Sequence, residues 1–324
     1  MKRRLLLTVV LSLSTLATGV FAAAAGYPAK PVTIIAPSGP GGGFDFVGRL
    51  MAESLTKQVG STFVVENRAG SGTLIGTQAA ATAAPDGYTL LVGGLSNMVF
   101  NAALYKTLPY DPKSDFVPVA LVARYPYVLV ARGDLPQDNY KDLLEALRAN
   151  PDKLTIATVG PGSGQQVLAA TFAKSTNTRL LPIPYKSAQA AYQDLLAGRV
   201  DLFIDTLPSA RVHLESKRAK AIFVTSQRRN ATLANVPTAG ELGLPALEMG
   251  SWFGLFAQRT TPAPVVAELR LKLAASMQNA DLRKRLEQSG IEVMDFKPAD
   301  TDAFIRSEYD KWTTVIKQAG ITTE

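Results

Sequence analysis

Between Ser38 and Arg49 the chain reads Ser-Gly-Pro-Gly-Gly-Gly-Phe-Asp-Phe-Val-Gly-Arg, entered from the apolar run Val32 to Ala36 and left through Leu50 to Leu55. This stretch constrains the fold more than any other, because it dictates a strand, a glycine-rich turn and a helix in immediate succession. The first amides of such a helix have no intrahelical partner, and the positive end of the helix dipole points the same way. An anion bound at the turn would satisfy both. The other reading is a tight connection whose glycines supply only positive φ, and this stretch alone leaves both open.

The device recurs. Leu154 to Val159 reads as a strand, runs into Gly160-Pro-Gly-Ser-Gly164 and continues as a helix from Gln165 to about Lys174. Around these two turns strands and helices alternate, with strands over Phe63 to Glu66, Tyr88 to Gly93, Leu180 to Pro184, Val200 to Asp205 and Ala219 to Thr225. That alternation implies an α/β fold of mixed, mostly parallel sheets. The apolar stretch Val119 to Ala131 is long enough for one strand and a bend, and Ser251 to Phe256 returns as a second apolar strand. Taken as crossings, they divide the chain into a discontinuous lobe, 26–125 with 252–324, and an inserted lobe, 126–251. Phe304, Tyr309 and Trp312 on the last amphipathic helix are expected to pack on the first lobe. Ligands of open α/β sheets bind beyond the carboxyl ends of strands, where both glycine turns stand, so facing lobes would aim two sets of helix amides at one cleft.

Residues 1–25 are expected to be a secretory signal peptide. Lys2, Arg3 and Arg4 precede the apolar run Leu5 to Val20, which ends in Phe21 and four alanines. The chain has no cysteine, which removes disulfides, thiolate metal sites and cysteine nucleophiles together. Of its formal charge of +7, three positives lie in the leader, leaving +4 on the remainder. The basic residues are scattered in short clusters such as Arg283-Lys284-Arg285, so a nucleic-acid partner is not expected.

Enzyme motifs are missing in an informative way. The glycines at 39, 41, 42 and 43 miss the dinucleotide spacing, and Arg49 and Leu50 stand where a phosphate loop needs lysine and a hydroxyl. His213 is the single histidine and lies in a charged helical stretch. Ser54-Leu-Thr-Lys57 lacks the companion elements of the serine enzymes that use that spacing. Asp201 and Asp205 share a strand and stand ~13 Å apart along it, too far for a working carboxylate pair. No catalytic residue, metal or cofactor is expected. A carboxylate suits the turns best, since amides and the hydroxyls of Ser38 and Ser163 can satisfy it without a metal. Asp45 is expected to cap helix amides in preference to touching a ligand.

A set of short motifs then points to a family. It comprises Tyr27-Pro-Ala-Lys-Pro31, Pro40 to Asp45 with Arg49, Glu66-Asn-Arg68 with Gly70 and Gly72, and Pro85-Asp-Gly-Tyr-Thr-Leu90. Further along come Leu108-Pro-Tyr-Asp-Pro112, Pro184-Tyr-Lys186, Asp194-Leu-Leu-Ala-Gly198 and Ser251-Trp-Phe-Gly254. In order and spacing the set resembles the Bug, or TctC, family, the substrate-binding proteins of tripartite tricarboxylate transporters.

The resemblance implies a periplasmic, two-lobed protein of the periplasmic binding protein fold. It would close on a small organic carboxylate, di-, tri- or aromatic, as a monomer and deliver it to a membrane permease. It further implies that backbone amides and water hold one carboxylate at the two turns, here Ser38, Pro40, Gly41, Gly42, Gly43 and Phe44 with Asp45, and Gly162, Ser163, Gly164 and Gln165. Ser96, Asn97, Asp205 and Thr206 would line the rest by position. Many members carry histidine where this chain has Val167, and glycine where it has Ser187. A ligand less polar than citrate is therefore expected, packed on Phe44 or Phe203. A ligand-sensing module for a membrane sensor kinase and an exported hydrolase are the alternatives.

Overall fold

The computed structural model describes residues 26–294 and 298–321; the expected signal peptide, 1–25, lies outside them. β1, Val32–Ala36, runs through the glycine turn into α1, Gly43–Val59, followed by β2, Phe63–Asn67. α2, Leu74–Ala81, and β3, Thr89–Gly94, complete the first run. A π turn, Ser96–Phe100, leads into the short α3, Asn101–Leu104. After β4, Phe116–Arg132, come α4, Tyr140–Ala149, β5, Thr155–Thr158, and α5, Gly164–Thr176. Next are β6, Leu181–Pro184, α6, Ala188–Leu196, β7, Leu202–Thr206, α7, Leu207–Glu215, and β8, Ala219–Val224. β9, Gly250–Gln258, α8, Ala263–Met277, α9, Ala280–Gln288, β10, Glu292–Val293, and α10, Pro298–Ala319, close the chain.

The strands lie in the order β2-β1-β3-β9-β4-β7-β5-β6, with β8 and β10 also on β4. Pairs made within strand-helix-strand units are parallel, as the alternation implied: β1 with β2 and β3, β5 with β6 and β7. The middle of the order is antiparallel, because β9 enters beside β3 and β4 from the opposite direction. The strand and bend expected over Val119 to Ala131 are instead one strand of 17 residues. It pairs with β9 from Phe116 to Pro126, then with β7 from Tyr127 onward and β8 from Val128. Register shifts at Pro118/Ala120, Leu121/Ala123 and Leu129/Val130 give it the extra twist that a second set of partners requires.

The helical turn from Ser96 to Leu104 was not anticipated from the sequence. Ser96 to Phe100 are all buried, so no polar face exists to produce a helical period. Phe100 receives Trp312 of α10 edge-on at 5.3 Å, and Trp252 of β9 receives Phe304 at 5.8 Å. Tyr309 lies beneath the Lys113 ammonium at 3.6 Å. One apolar cluster runs from Phe100, Trp252 and Trp312 through Leu129 to Val167, Phe172 and Phe223, beneath both halves of the sheet. Trp312 is 1% exposed, so Trp312→Ala opens a cavity at the joint of that cluster. The expected loss is about 3–5 kcal/mol, read as a lower midpoint in urea unfolding.

Candidate functional site

Five loops converge on one cavity of about 490 Å³. They are the turns before α1, before α5 and before α6, the Ala69–Thr73 turn, and the start of the π turn at Ser96. The first intrahelical bond of α1 is Phe46 N to Gly42 O, so the amides of Gly43, Phe44 and Asp45 precede the ladder, and the Gly42 cap offers no side chain. In α5 the ladder begins at Val167 N, with Gly164 N given to Ser96 Oγ at 3.2 Å and Gln166 N to Ser163 Oγ at 3.1 Å. The Gln165 amide is left. In α6 the ladder begins at Ala191 N, and Ser187 Oγ accepts from Ala190 N, leaving Ala188 and Gln189. Gly43, Phe44, Gln165 and Ala188 all line the cavity, with Lys186 at its edge and no Asp or Glu on the wall. Three positive helix ends facing a wall without carboxylates form a site for an anion.

The floor explains two glycines that φ does not. Tyr125 and Tyr127 are two apart on β4. A Cβ on Gly43 would run into the Tyr125 hydroxyl, and one on Gly164 into the Tyr127 hydroxyl. Both rings are buried, and Tyr125 stacks on Phe253 at 4.7 Å, with Phe44 edge-on to the same Phe253 at 4.9 Å. The turn before α5 also meets the Ala69–Thr73 turn and α3 directly. A Cβ on Gly72 would strike the Pro161 carbonyl, and one on Gly162 the Asn101 side-chain oxygen.

Of the expected residues, Ser38, Gly42, Gly43, Phe44, Ser96, Ser163 and Gln165 line the cavity. The others are placed elsewhere. Pro40 and Gly41 sit on the exposed outer side of the turn. Asp45 accepts from the Gly41 amide at 3.0 Å and pairs with Arg49 at 2.9 Å, so it binds back to the turn and not to the helix amides it was expected to cap. Burial is the largest influence on that carboxyl and raises it, yet Arg49, the Gly41 amide and Asn67 together hold it below the usual range. Asn97 is buried under β3, accepting from Gly94 N and donating to Thr77 Oγ1. Gly162 and Gly164 stand just behind the wall, their amides given to Gln166 Oε1 and Ser96 Oγ. Phe203 does not reach the cavity, because it is packed in the core under Tyr192 at 5.1 Å. Asp205 and Thr206 lie one layer deeper, with Asp205 1% exposed and its Oδ1 accepting from Gln165 Nε2 at 2.9 Å. Asp205 Oδ2 and Thr206 Oγ1 make no bond of normal hydrogen-bond geometry. Burial pushes the Asp205 carboxyl up to about 6, against the pull of the Ser209 hydroxyl, the Thr206 amide, Gln165 and Tyr192.

Two segments of the wall were not expected: Ala69–Thr73 and Tyr185–Ala188. Both overlap short motifs noted for the family resemblance, Glu66-Asn-Arg68 with Gly70 and Gly72, and Pro184-Tyr-Lys186. The backbone gives a stronger mark, since Gly70, Ser71, Gly72 and Thr73 all hold positive φ, including two residues with side chains. Strain of that kind clusters where a loop is held for a ligand. The Asn101 amide fixes it by donating to Thr73 Oγ1 at 3.0 Å and to Gly72 O at 3.4 Å.

An α/β fold with an anion site walled by strand-to-helix turns is that of a two-lobed periplasmic binding protein. The family model "Tripartite tricarboxylate transporter family receptor" matches residues 47–321, and the chain belongs to that family of periplasmic solute-binding proteins. Periplasmic binding protein BugD has a similar structure, with a TM-score of 0.88 and 36% identity over 91% of this chain and 99% of its own. Rpa4515 of R. palustris, solved with adipate, gives 0.88 and 33%, over 91% of this chain and 99% of its own. MatC of Rhodopseudomonas palustris, solved with bound malate, gives 0.85 and 32%, over 90% and 100%. Among the described residues no helix is long and apolar enough to cross a membrane.

Two measurements follow from the site. Gly164→Ala forces its methyl against the Tyr127 hydroxyl and is expected to cost about 1–3 kcal/mol. Adding Tyr127→Phe should recover part of that loss in a double-mutant cycle, which a general dislike of alanine at the helix start would not produce. Asp205 binds its proton more tightly folded than unfolded, so it costs nothing in acid and its penalty grows as pH rises from the ordinary carboxyl range through about 6. The stability advantage of Asp205→Asn over the parent should therefore widen by about 2 kcal/mol between pH 4 and pH 7, read from paired urea titrations.

Proposed function

We propose that this protein captures a small organic carboxylate in the cavity and hands it to the membrane permease of a tripartite tricarboxylate transporter. The observation that carries the proposal is the wall itself: helix-start amides from α1, α5 and α6, one lysine, and no side-chain carboxylate. Such a surface favours anions, and the hydroxyl of Ser71 with the ammonium of Lys186 supplies further donors. The volume suits a ligand of the size of the adipate and malate held by Rpa4515 and MatC. Residues 26–125 with 252–324 act as one lobe and 126–251 as the other, hinged where β4 changes partners after Pro126 and where the chain re-enters β9 at Gly250. Contacts between Gly72 and Pro161 and between Ser96 and Gly164 are those of closed jaws. The leader over 1–25 takes the chain to the periplasm, where it works as a monomer.

Binding without turnover is the favoured reading of the same residues. The Ser163 hydroxyl is occupied, donating to Gly160 O at 2.8 Å and accepting from Gln166 N. His213 is off the wall and lies against Tyr192 at 4.1 Å. Among the described residues, Ser163 and His213 therefore do not form the pair of nucleophile and free base that turnover needs. A thermal-shift and calorimetry series of mono-, di-, tri- and aromatic carboxylates tests the proposal. A dianion at a hundred times its Kd should add ~2.7 kcal/mol of stability. Lys186→Ala should weaken it by at most about fivefold, as for an exposed charge pair. Stabilisation by sugars or cations, with none by any carboxylate, would reject the assignment.

A further inference from the structure

Gln165 is the one wall residue whose side chain is gripped from behind by a buried carboxyl. An ionised carboxylate only accepts hydrogen bonds, so Gln165 must turn Nε2 toward Asp205, and its planar amide then directs Oε1 away from it. Among the described residues nothing donates to that oxygen. The polar groups of the wall around it include helix-start amides, the Ser71 hydroxyl and the Lys186 ammonium, which can donate to a carboxylate. A carboxylate oxygen has nothing to offer Oε1, whereas a ligand hydroxyl donates to it. An acceptor so placed discriminates strongly, because a buried polar group left without its partner is costly.

We propose that Gln165, oriented by Asp205, selects carboxylates that carry a hydroxyl group, and that protonation of Asp205 frees the amide to turn over and removes the selection. A protonated Asp205 has an O–H to donate to Oε1, which leaves Nε2 for the ligand. The groups around Asp205 leave it the titrating member of the cluster. Tyr125 and Tyr127 face it from β4, Tyr192 from α6, the Ser209 hydroxyl from α7, Gln165 from α5 and the Thr206 amide from its own strand. Burial pushes all three tyrosines well up from their ordinary range, so they stay neutral. His213 reaches only the Tyr192 ring, and no Lys or Arg pairs with Asp205 among the described residues. With its carboxyl pushed up to about 6, Asp205 changes charge within the range an external compartment experiences.

The inference rests on the carboxylate reading, and its test separates the two. Calorimetry would compare succinate with malate, and adipate with 2-hydroxyadipate, at pH 5 and pH 8, on the parent, Asp205→Asn and Gln165→Leu. In the parent, the preference for the hydroxy acid of the tighter pair should be about tenfold greater at pH 8 than at pH 5, a difference of ~1.4 kcal/mol. Asp205→Asn, neutral throughout, should show the same preference at both pH values, and Gln165→Leu should show none at pH 8. Titration of the ligands themselves is common to all three proteins and cancels in the comparison. A parent preference that does not move with pH, or one that moves equally in Asp205→Asn, overturns the inference while leaving the carboxylate site standing. Failure of all four acids to bind the parent at either pH overturns the inference, and the carboxylate reading falls with it only if the wider series of mono-, tri- and aromatic carboxylates fails as well. Should Asp205→Asn not fold, retention of the preference by Gln165→Leu is by itself sufficient to refute the role of Gln165.

Discussion

The structure depends on a single strand that serves two halves at once. β4 gives its first part to β9 and its second to β7 and β8. At the handover it carries Tyr125 and Tyr127, and each hydroxyl abuts the glycine that starts a helix, Gly43 or Gly164. The separation of those two helix starts is thereby tied to the spacing of alternate residues on a strand. A ligand that bridges them meets amides whose positions are fixed by buried rings and not by loop chance. Preorganisation of this kind lowers the ordering cost of binding, and backbone donors carry no rotamer entropy of their own.

Around that floor, charge is distributed by depth. The wall carries donors and one ammonium; the carboxyls nearest the anion are turned away or sunk. Asp45 is spent on the Gly41 amide and Arg49, and Asp205 lies beneath Gln165. The two acids differ in consequence. The first has a cation to neutralise it and stays ionised, while the second has hydroxyls and amides alone, so burial dominates and its proton is held more tightly. A cavity that attracts anions thus has a titrating group one bond behind its surface.

Much of this was legible along the chain. The strand, glycine turn and helix at Ser38 to Arg49 and the copy at Gly160 to Gln165 both form, and both face the cavity, because glycine spacing and apolar runs are local signals. Asn97, Phe203, Asp205 and Thr206 were placed by position along strands, and a strand end tells which layer a residue reaches only once its neighbours are known. Phe203 faces Tyr192, and Asp205 has Gln165 between it and the cavity. The buried turn at Ser96 to Leu104 left no period to read, and the wall at Ala69 to Thr73 left no composition beyond that of an ordinary turn.

By itself the sequence determined two units of strand, glycine turn and helix, a chain with no cysteine and one histidine, and an alternation of strand and helix. Those properties follow from residue type and spacing over a few turns of chain. Only the tertiary structure decided that a third helix start, at Ser187, joins the other two, and that Gly43 and Gly164 are glycines because tyrosine hydroxyls lie against them. It also decided that Asp205 meets the ligand space through Gln165. Each of these is a contact between residues dozens of positions apart, fixed by how β4 and β9 join the halves of the sheet, and nothing local in the chain encodes it.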